Sequence, residues 1–324
     1  MSAAKEIRKK DPLSEIIIIT EEMDPFYYKP YLLTLLLHRN PAKMQSDSEK
    51  LLAQFRIELI SLRKVVAIDL ARGYPIIRFE NDEPISFDYL VIATGRRAEF
   101  GQLRKWQQNC YRLDTQADVQ ILANHLPHLK SLIVYGADEL ALRTVHTLRQ
   151  LRKEVTVIHD GSISPFQMSD PLQENFFLRA ITRQGATVKK IREIQSLTGT
   201  NGDQIELVTD SNEPIRANGI ITAQPFAPDV HFARFAEVVM GAGIKVTADL
   251  QTTQPNIFSA GDCAEIIDLK SGEPMFNNGW RSAVRQGEMA GRNIATYAEN
   301  PDAQLEMVTA IPPFFRDRVQ LVAV

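Results

Sequence analysis

The first 21 residues constrain the fold most, because a helix pattern, a stop signal and a strand pattern that ends at an acidic residue follow one another there. Ser2 to Lys10 reads as a helix, Asp11-Pro12 ends it, and Glu15 to Thr20 is an isoleucine-rich strand followed by Glu21. In a Rossmann unit a strand and a glycine-rich loop open such a helix, and an acidic residue about 20 positions further on accepts the ribose hydroxyls. Glu21 lies 20 residues after Met1. The sequence therefore predicts a Rossmann unit.

The initial strand of that unit and its glycine loop, which holds a pyrophosphate at a helix N-terminus, do not precede the helix. We expect either a truncated form of a nucleotide-binding protein or one that has given this function up. In the usual strand order 3-2-1-4 the absent strand is central, and its neighbours would lie about 9 to 10 Å apart with unpaired apolar edges. The chain as written is therefore expected to fold poorly or to bind its nucleotide weakly, and a longer chain that also failed to bind it would refute truncation.

Composition excludes several classes of protein. The 324 residues have room for two core-bearing domains, and 44% apolar and 24% charged content is ordinary for a soluble protein. No apolar run approaches the roughly 18 residues of a membrane span, and the start has no apolar signal core. A net charge of -3 and a pI near 6.1 argue against nucleic acid as a partner. Neither the two cysteines nor the histidines have metal-ligand spacing, so we expect a cytoplasmic protein without a metal.

Strand and helix patterns alternate along the chain, which predicts an α/β fold. Ser131 to Tyr135 is predicted as a strand, Glu139 to Lys153 as a helix and Glu154 to His159 as the next strand, so the first arrangement recurs about 140 residues later. Further strands are expected at residues 64–69, 76–79, 89–93, 187–189, 205–209, 219–222 and 257–260, and a last helix at about 280–297.

Two strands end in small residues that would let a backbone approach a ligand closely. Tyr89 to Ala93 runs into Ala93-Thr94-Gly95, and Asn256 to Ala260 runs into Gly261-Asp262-Cys263-Ala264. Asp262 has two interpretations, an N-cap at the start of a helix or an acceptor for a ligand hydroxyl. Cys263 has no resolving cysteine at short spacing and is more typical of a small buried packing residue.

Together and in this order, these segments resemble the FAD-dependent pyridine nucleotide-disulfide oxidoreductase superfamily. The resemblance is to its rubredoxin, ferredoxin and nitrite reductase-like branch, which lacks the redox disulfide, and it covers nearly the whole chain. The motifs that carry it are Glu21, Tyr28-Lys29-Pro30 with Leu32-Leu33, Val65-Val66-Ala67-Ile68-Asp69, Ala93-Thr94-Gly95, Thr253-x-Pro255-Asn256-Ile257, Gly261-Asp262-Cys263-Ala264-Glu265 and Trp280-x-x-Ala283-x-x-Gln286-Gly287.

The resemblance implies two Rossmann-like domains, the first without its initial strand and glycine loop. Residues 1–103 and 219–300 would form a discontinuous FAD-binding domain, and residues 104–218 an NAD(P)-binding-like domain. Residues 301–324 would be a remnant of a C-terminal interface domain, in which Phe314-Phe315 and Val319 to Val324 look like a first strand. An edge as apolar as this one favours a partner, so a homodimer is left open.

The resemblance also implies roles for single residues. Glu21 would bind the adenosine ribose of FAD, Val66 would meet the adenine through its backbone, and Asp262 would bond the ribityl chain. Lys29 would lie near the flavin ring and stabilise reduced flavin. The remaining flavin-binding residues would be Pro30, Ala93, Thr94, Gly95, Gly261 and Trp280, and those of the nicotinamide nucleotide would be Gly136 and Asp160.

The nicotinamide half departs from the family pattern. Where the family has G-x-G-x-x-G, this chain has Gly136-Ala137-Asp138-Glu139-Leu140-Ala141. Ala141 is small enough for the third position, but a carboxylate at Asp138 would face the pyrophosphate. At about 5 Å and an effective dielectric near 20 the repulsion is roughly 3 kcal/mol, or about a hundredfold in affinity. Asp138 and Glu139 have a second interpretation as cap and first-turn residues, and His159 holds the usual acidic place, one residue before Asp160.

Two functions are therefore carried forward. The first is a cytoplasmic FAD flavoprotein, an oxidoreductase that transfers electrons from NAD(P)H via flavin to a small rubredoxin- or ferredoxin-like redox protein or another acceptor. The second is a non-catalytic or NAD-independent flavin-fold subunit that docks on a partner redox protein. The sequence does not choose between NADH and NADPH, and it leaves the acceptor open.

Overall fold

A computed structural model describes residues 1–23, 26–38, 48–70, 75–161, 171–199, 204–211, 213–223, 226–268, 272–276 and 279–308. The helices are α1 (Ser2–Lys10), α2 (Thr34–His38), α3 (Ser48–Phe55), α4 (Gln116–His125), α5 (Glu139–Gln150), α6 (Pro171–Arg183) and α7 (Trp280–Glu299). None of them is both long and apolar enough to cross a lipid bilayer within the described part of the chain.

The strands are β1 (Ile17–Ile19), β2 (Glu58–Ile60), β3 (Val65–Asp69), β4 (Ile76–Phe79), β5 (Ile85–Ser86), β6 (Leu90–Ile92), β7 (Arg96–Ala98), β8 (Cys110–Tyr111), β9 (Ser131–Tyr135), β10 (Glu154–His159), β11 (Thr187–Lys190), β12 (Ile194–Gly199), β13 (Ile205–Thr209), β14 (Pro214–Ala217), β15 (Gly219–Thr222), β16 (Phe226–Pro228), β17 (Ile244–Val246), β18 (Ile257–Ser259), β19 (Ala264–Ile267) and β20 (Pro274–Phe276). The α/β class is confirmed.

The chain divides into two compact units. Unit 1 comprises Met1–Tyr27, Ser46–Arg96 and Pro228–Val324, and unit 2 comprises Tyr28–Gln45 and Arg97–Ala227. Phe314-Phe315 and Val319 to Val324, which the sequence predicts as a first interface strand, lie outside the described residues.

Unit 2 is built on a five-stranded parallel sheet in the order β11-β10-β9-β15-β8. β9 is its central strand, and Ile133 pairs with Thr156 on one side and with Ile220 on the other. The connection from β9 to β10 is α5, whose apolar side chains at helical spacing are buried, among them Leu142, Val145 and Leu148. This strand, helix and strand form the predicted Rossmann arrangement.

Unit 1 contains two separate pairs of parallel strands. β1 pairs with β2, and β6 pairs with β18 in the register Leu90 with Ile257 and Ile92 with Ser259. Within the described ranges no further strand joins either pair, so the central place of a continuous sheet is not filled there. Unit 1 also contains an antiparallel sheet β3-β4-β5 and a mixed sheet β17-β19-β20.

The helices α1 and α7 of unit 1 approach each other at backbone distance. A Cβ atom added to Gly291 of α7 would lie 2.9 Å from the Cα atom of Ala3 in α1, and one added to Gly287 would lie 3.1 Å from the Cβ atom of Ser2. Such spacing is shorter than side chains larger than glycine allow. The glycines of α7 therefore let α1 pack directly against it.

Candidate functional site

The carboxyl ends of β6 and β18 bring the two predicted small-residue turns together in unit 1. Ile92 pairs with Ser259, and the backbone N–H of Ala260 donates to the carbonyl of Ile92 at 3.0 Å. The segments that follow, residues 93–95 and 260–262, therefore leave the sheet side by side. The carboxyl end of parallel strands is where open α/β sheets bind their ligands.

Both turns depend on a glycine with positive φ. Gly95 has φ +73° and Gly261 has φ +84°, values that side chains with a Cβ rarely adopt. A Cβ atom on Gly95 would meet no atom within 4 Å, so the turn borders open space on that side. The N–H of Gly261 donates to Oε1 of the buried Gln286 at 2.8 Å, which holds the second turn against α7.

The first turn is held by Asp229 of the same unit. The Thr94 hydroxyl donates to the Asp229 carbonyl at 2.6 Å, and the Asp229 N–H donates to the Gly95 carbonyl at 3.1 Å. These two bonds fix the backbone of the turn without covering the open side of Gly95.

Asp262 forms an ion pair with Arg96. Oδ2 of Asp262 lies 3.2 Å from Nε of Arg96, and the two side chains keep 26% and 35% of their surfaces exposed. The N-cap interpretation of Asp262 is wrong, because the residues that follow form the strand β19 rather than a helix. Sequence reasoning did not find Arg96, although its signal is the basic residue directly after Ala93-Thr94-Gly95.

Cys263 lies beneath this edge as a packing residue. The residue is fully buried, and its thiol is 3.4 Å from the carbonyl oxygens of Ile92 and Ala260. Burial raises the pKa of the Cys263 thiol, which keeps it protonated and poorly nucleophilic.

Three other predicted flavin-binding residues lie in unit 1. Glu21 is exposed and follows β1 after Thr20, and Trp280 is 37% exposed at the first position of α7. Val66 is 38% exposed in β3, where the ladder to β4 has a bulge between Val65 and Ala67. A bulged residue does not take part in the regular ladder, so its backbone is suited to bond a ligand.

Lys29 and Pro30 belong to unit 2, in the short 3-10 helix Lys29–Tyr31. Lys29 is exposed, and the Arg143 guanidinium donates to the Pro30 carbonyl. The suggested approach of Lys29 to a flavin ring stays a prediction.

The corresponding edge of unit 2 follows β9. Gly136 has φ +133°, and its N–H donates to the carbonyl of Ile158 at 2.9 Å. Asp138 is the N-cap of α5, since its Oδ1 accepts from the N–H of Ala141 at 2.9 Å, and only 4% of the residue is exposed. The cap interpretation of Asp138 is confirmed.

Asp160 at the end of β10 is held by two donors on one oxygen. Its Oδ2 accepts from the Tyr135 hydroxyl at 2.5 Å and from Nε2 of Gln102 at 3.0 Å. Gln102 also bonds the backbone of Arg192 and of Ile194 at 3.0 and 2.7 Å. No sequence pattern singles out Gln102, because its partners lie far from it in the chain.

Residues 1–287 match the family model described as pyridine nucleotide-disulphide oxidoreductase. The chain belongs to this family. Family membership confirms the predicted FAD cofactor and the predicted oxidoreductase activity, and members of this family use NAD(P)H. Within the described ranges, no three His, Cys, Asp or Glu side chains gather as a metal site requires.

Relatives and solved structures agree with this membership. The chain is 24% identical over 304 residues to an NADH oxidase of Methanocaldococcus jannaschii, with 91% of this chain and 67% of that one covered. It is 26% identical over 269 residues to the nitric oxide reductase FlRd-NAD(+) reductase of Enterobacter sp., with 81% and 69% covered. The crystal structure of a ferredoxin reductase from Rhodopseudomonas palustris superposes with a TM-score of 0.77 at 23% identity, over 95% of this chain and 74% of that one. This member of the family thus spans about two thirds to three quarters of those proteins.

The edge of unit 1 fits part of an FAD molecule. The open side of Gly95, the bulge at Val66 and the partly exposed carboxylate of Asp262 are suited to a ring system, an adenine and a polyol chain. Within the described part of unit 1 no strand, glycine-rich turn and helix follow one another as a pyrophosphate cradle does. The fit therefore covers the ring, ribityl and adenosine parts of the cofactor.

Proposed function

We propose that the chain is an FAD-dependent oxidoreductase that transfers electrons from NAD(P)H through flavin to a small redox protein. The observation that carries this proposal is the pair of turns, residues 93–95 and 260–262, side by side at the carboxyl ends of β6 and β18. Two glycines with positive φ keep side chains away from this edge, so that a planar group can lie against the backbone.

Asp262 is proposed to hold the ribityl chain by accepting a hydrogen bond from a hydroxyl group. The Arg96 guanidinium at 3.2 Å restrains the rotation of this carboxylate and offsets its charge. Arg96 is thus a positioning residue for Asp262.

Glu21 and Val66 are proposed to hold the adenosine end. The exposed carboxylate of Glu21 follows β1, where it accepts ribose hydroxyls as the acidic residue of a Rossmann unit does. Val66 contributes its bulged backbone rather than its side chain. We further propose that residues 1–103 and 219–300 form the FAD domain and residues 104–218 the nicotinamide nucleotide domain.

FAD, when bound, would supply the redox chemistry, the transfer of reducing equivalents from a nicotinamide nucleotide to an acceptor. In this proposal the residues that the structure describes bind and orient the cofactor, and none of them acts as a general acid or base. Cys263 takes no part, because burial keeps its thiol protonated. Rubredoxin- or ferredoxin-like proteins are the proposed acceptors, in keeping with the names of the reductases to which the chain is similar. The cytoplasm is the proposed location.

A second candidate is a flavin-binding subunit that does not accept electrons from NAD(P)H and docks on a partner redox protein. The cap formed by Asp138 favours it, because the carboxylate occupies the helix N-terminus that holds a dinucleotide pyrophosphate in this family.

Anaerobic reduction of the flavin-loaded chain separates the two candidates. The purified chain is saturated with FAD, freed of unbound flavin, and mixed with NADH and in a parallel sample with NADPH while the flavin absorbance is followed. Bleaching by either nucleotide supports the first function. A chain that holds flavin but is bleached only by dithionite is the second candidate, and a chain that holds no flavin overturns both.

A further inference from the structure

We infer that Asp138 limits the affinity of unit 2 for pyridine nucleotides, because its carboxylate occupies the N-terminus of α5 in place of their pyrophosphate. This inference deepens the proposed function. It rests on one part of that proposal, namely that unit 2 binds the nicotinamide nucleotide. It assigns the limit to one side chain.

The carboxylate of Asp138 caps the helix α5. Asp138 Oδ1 accepts from the N–H of Ala141 at 2.9 Å. Ala141 stands at the third glycine position of the G-x-G-x-x-G pattern. With 4% of its surface exposed, Asp138 is packed into the turn rather than extended into solvent. The N–H groups of a first helical turn are the donors that a phosphate uses, and here a resident anion already uses one of them.

The charge opposes a second anion at the same place. A phosphate about 5 Å from a carboxylate, at an effective dielectric near 20, is repelled by an amount that corresponds to roughly a hundredfold in affinity. Glu139 adds a carboxylate in the same turn, although Nη1 of Arg143 lies 3.9 Å from its Oε1. The helix dipole favours one negative charge at this end, and Asp138 supplies it.

The rest of the turn keeps the features of a nucleotide site. Gly136 has the positive φ of the tight turn after β9, and Ala141 is a small, fully buried residue where the helix meets the sheet. Asp160 is held by Tyr135 and Gln102 at the end of the neighbouring strand. Asp138 is therefore the residue of this turn that departs from the pattern.

Calorimetric titration with ADP-ribose and with NADH tests the inference on the full chain and two variants. Asp138→Asn keeps a good N-cap and removes the charge, whereas Asp138→Gly removes both the charge and the side chain and leaves a residue that is still tolerated at an N-cap. We expect the affinity for ADP-ribose to rise about tenfold or more in Asp138→Asn and about a hundredfold in Asp138→Gly. If Asp138→Gly does not fold, Asp138→Asn decides the test.

Asp118→Asn is the matched control. Asp118 lies in the first turn of α4 in the same unit, where its carboxylate accepts from the N–H of Thr115 at 3.0 Å in a capping box. Its replacement changes the net charge of the chain as Asp138→Asn does and should leave the affinity for ADP-ribose within twofold. Affinities of both Asp138 variants within threefold of the unaltered chain would overturn the inference.

The same variants keep this inference separate from the proposed function. Tight binding of NADH by Asp138→Gly without bleaching of its flavin would sustain the inference and overturn NAD(P)H oxidation. If NADH bleaches the flavin of the unaltered chain and neither variant binds ADP-ribose more tightly, NAD(P)H oxidation is sustained and the inference is overturned.

Discussion

Units 1 and 2 each place an aspartate just beyond the carboxyl end of a parallel strand, and they use it in opposite ways. Asp262 of unit 1 keeps a quarter of its side chain exposed and faces a guanidinium beside a turn with an open side. Asp138 of unit 2 is almost completely buried and caps a helix of its own unit. A carboxylate at such an edge is therefore a ligand-binding group only where the local backbone leaves it accessible.

The sheets differ as well. Unit 2 has five parallel strands in one sheet, whereas the described residues of unit 1 form two separate parallel pairs. Unpaired strand edges stabilise a unit less than a continuous ladder does, so unit 1 depends more on its helices. The unit with the continuous parallel sheet is thus the one in which an aspartate caps the helix that follows the central strand.

The largest expected effect concerns the helices of unit 1. Gly291→Val would place side-chain atoms against the backbone of Ala3, where a Cβ atom is already 2.9 Å from Cα. We expect the free energy of unfolding to fall by about 3 kcal/mol or more, because the two helices must separate. Urea denaturation followed by circular dichroism measures this.

Ala298→Val is the control for that substitution, since Ala298 is an exposed residue of the same helix. It should cost only a few tenths of a kcal/mol, the usual effect of helix propensity. Equal stabilities of the two variants would show that unit 1 does not depend on the contact between α1 and α7.

A smaller effect on the free energy of unfolding is expected from the thiols, one in each unit. It depends on both thiols being shielded from solvent in the folded chain. Burial raises the pKa of Cys110 in unit 2 from its ordinary value of 9.0 to about 12, and it also raises that of Cys263 in unit 1. Below pH 9 both states of the chain hold the thiol protons. Above it the unfolded chain loses them while the folded chain keeps them, so the thiols lower stability as pH rises from 9 towards 12.

Chemical denaturation between pH 8 and pH 11 measures that slope, and Cys110→Ala should reduce it. Burial of Tyr111 raises its pKa too and leaves part of the slope in the variant. In the native chain neither thiol should react with a maleimide near pH 8. Rapid labelling of Cys263 alone would show that the reagent reaches the interior of unit 1 beneath its two turns.

Much of the fold could be predicted from local patterns. The bounds of β9, β10 and β15 coincide with the predicted strands, because continuous apolar runs between turn residues define buried parallel strands well. Short edge strands such as β2 and β14 were not predicted, since three or four residues carry too little periodicity. The prediction that a helix begins at Asp262 was wrong, because small residues after a strand permit either a helix or a further strand.

The site was predictable where a motif is continuous in the chain. Ala93-Thr94-Gly95 and Gly261-Asp262 are such motifs, and their adjacency follows from the pairing of β6 with β18. Arg96 directly follows the first motif, but its role and that of Gln102 depend on partners 166 and 58 residues away that only the fold brings near. The two interpretations of Asp138 differ only in side-chain direction, which no sequence pattern fixes.

The most direct measurement is a titration of the unaltered chain, Asp262→Asn and Asp138→Asn with FAD, followed by quenching of the flavin fluorescence. Loss of a charged hydrogen-bond acceptor costs about 1.5 to 3 kcal/mol, so we expect Asp262→Asn to bind FAD at least tenfold more weakly. Asp138→Asn should bind it as the unaltered chain does. Equal FAD affinities for all three chains, or a loss confined to Asp138→Asn, would contradict the assignment of the flavin to unit 1.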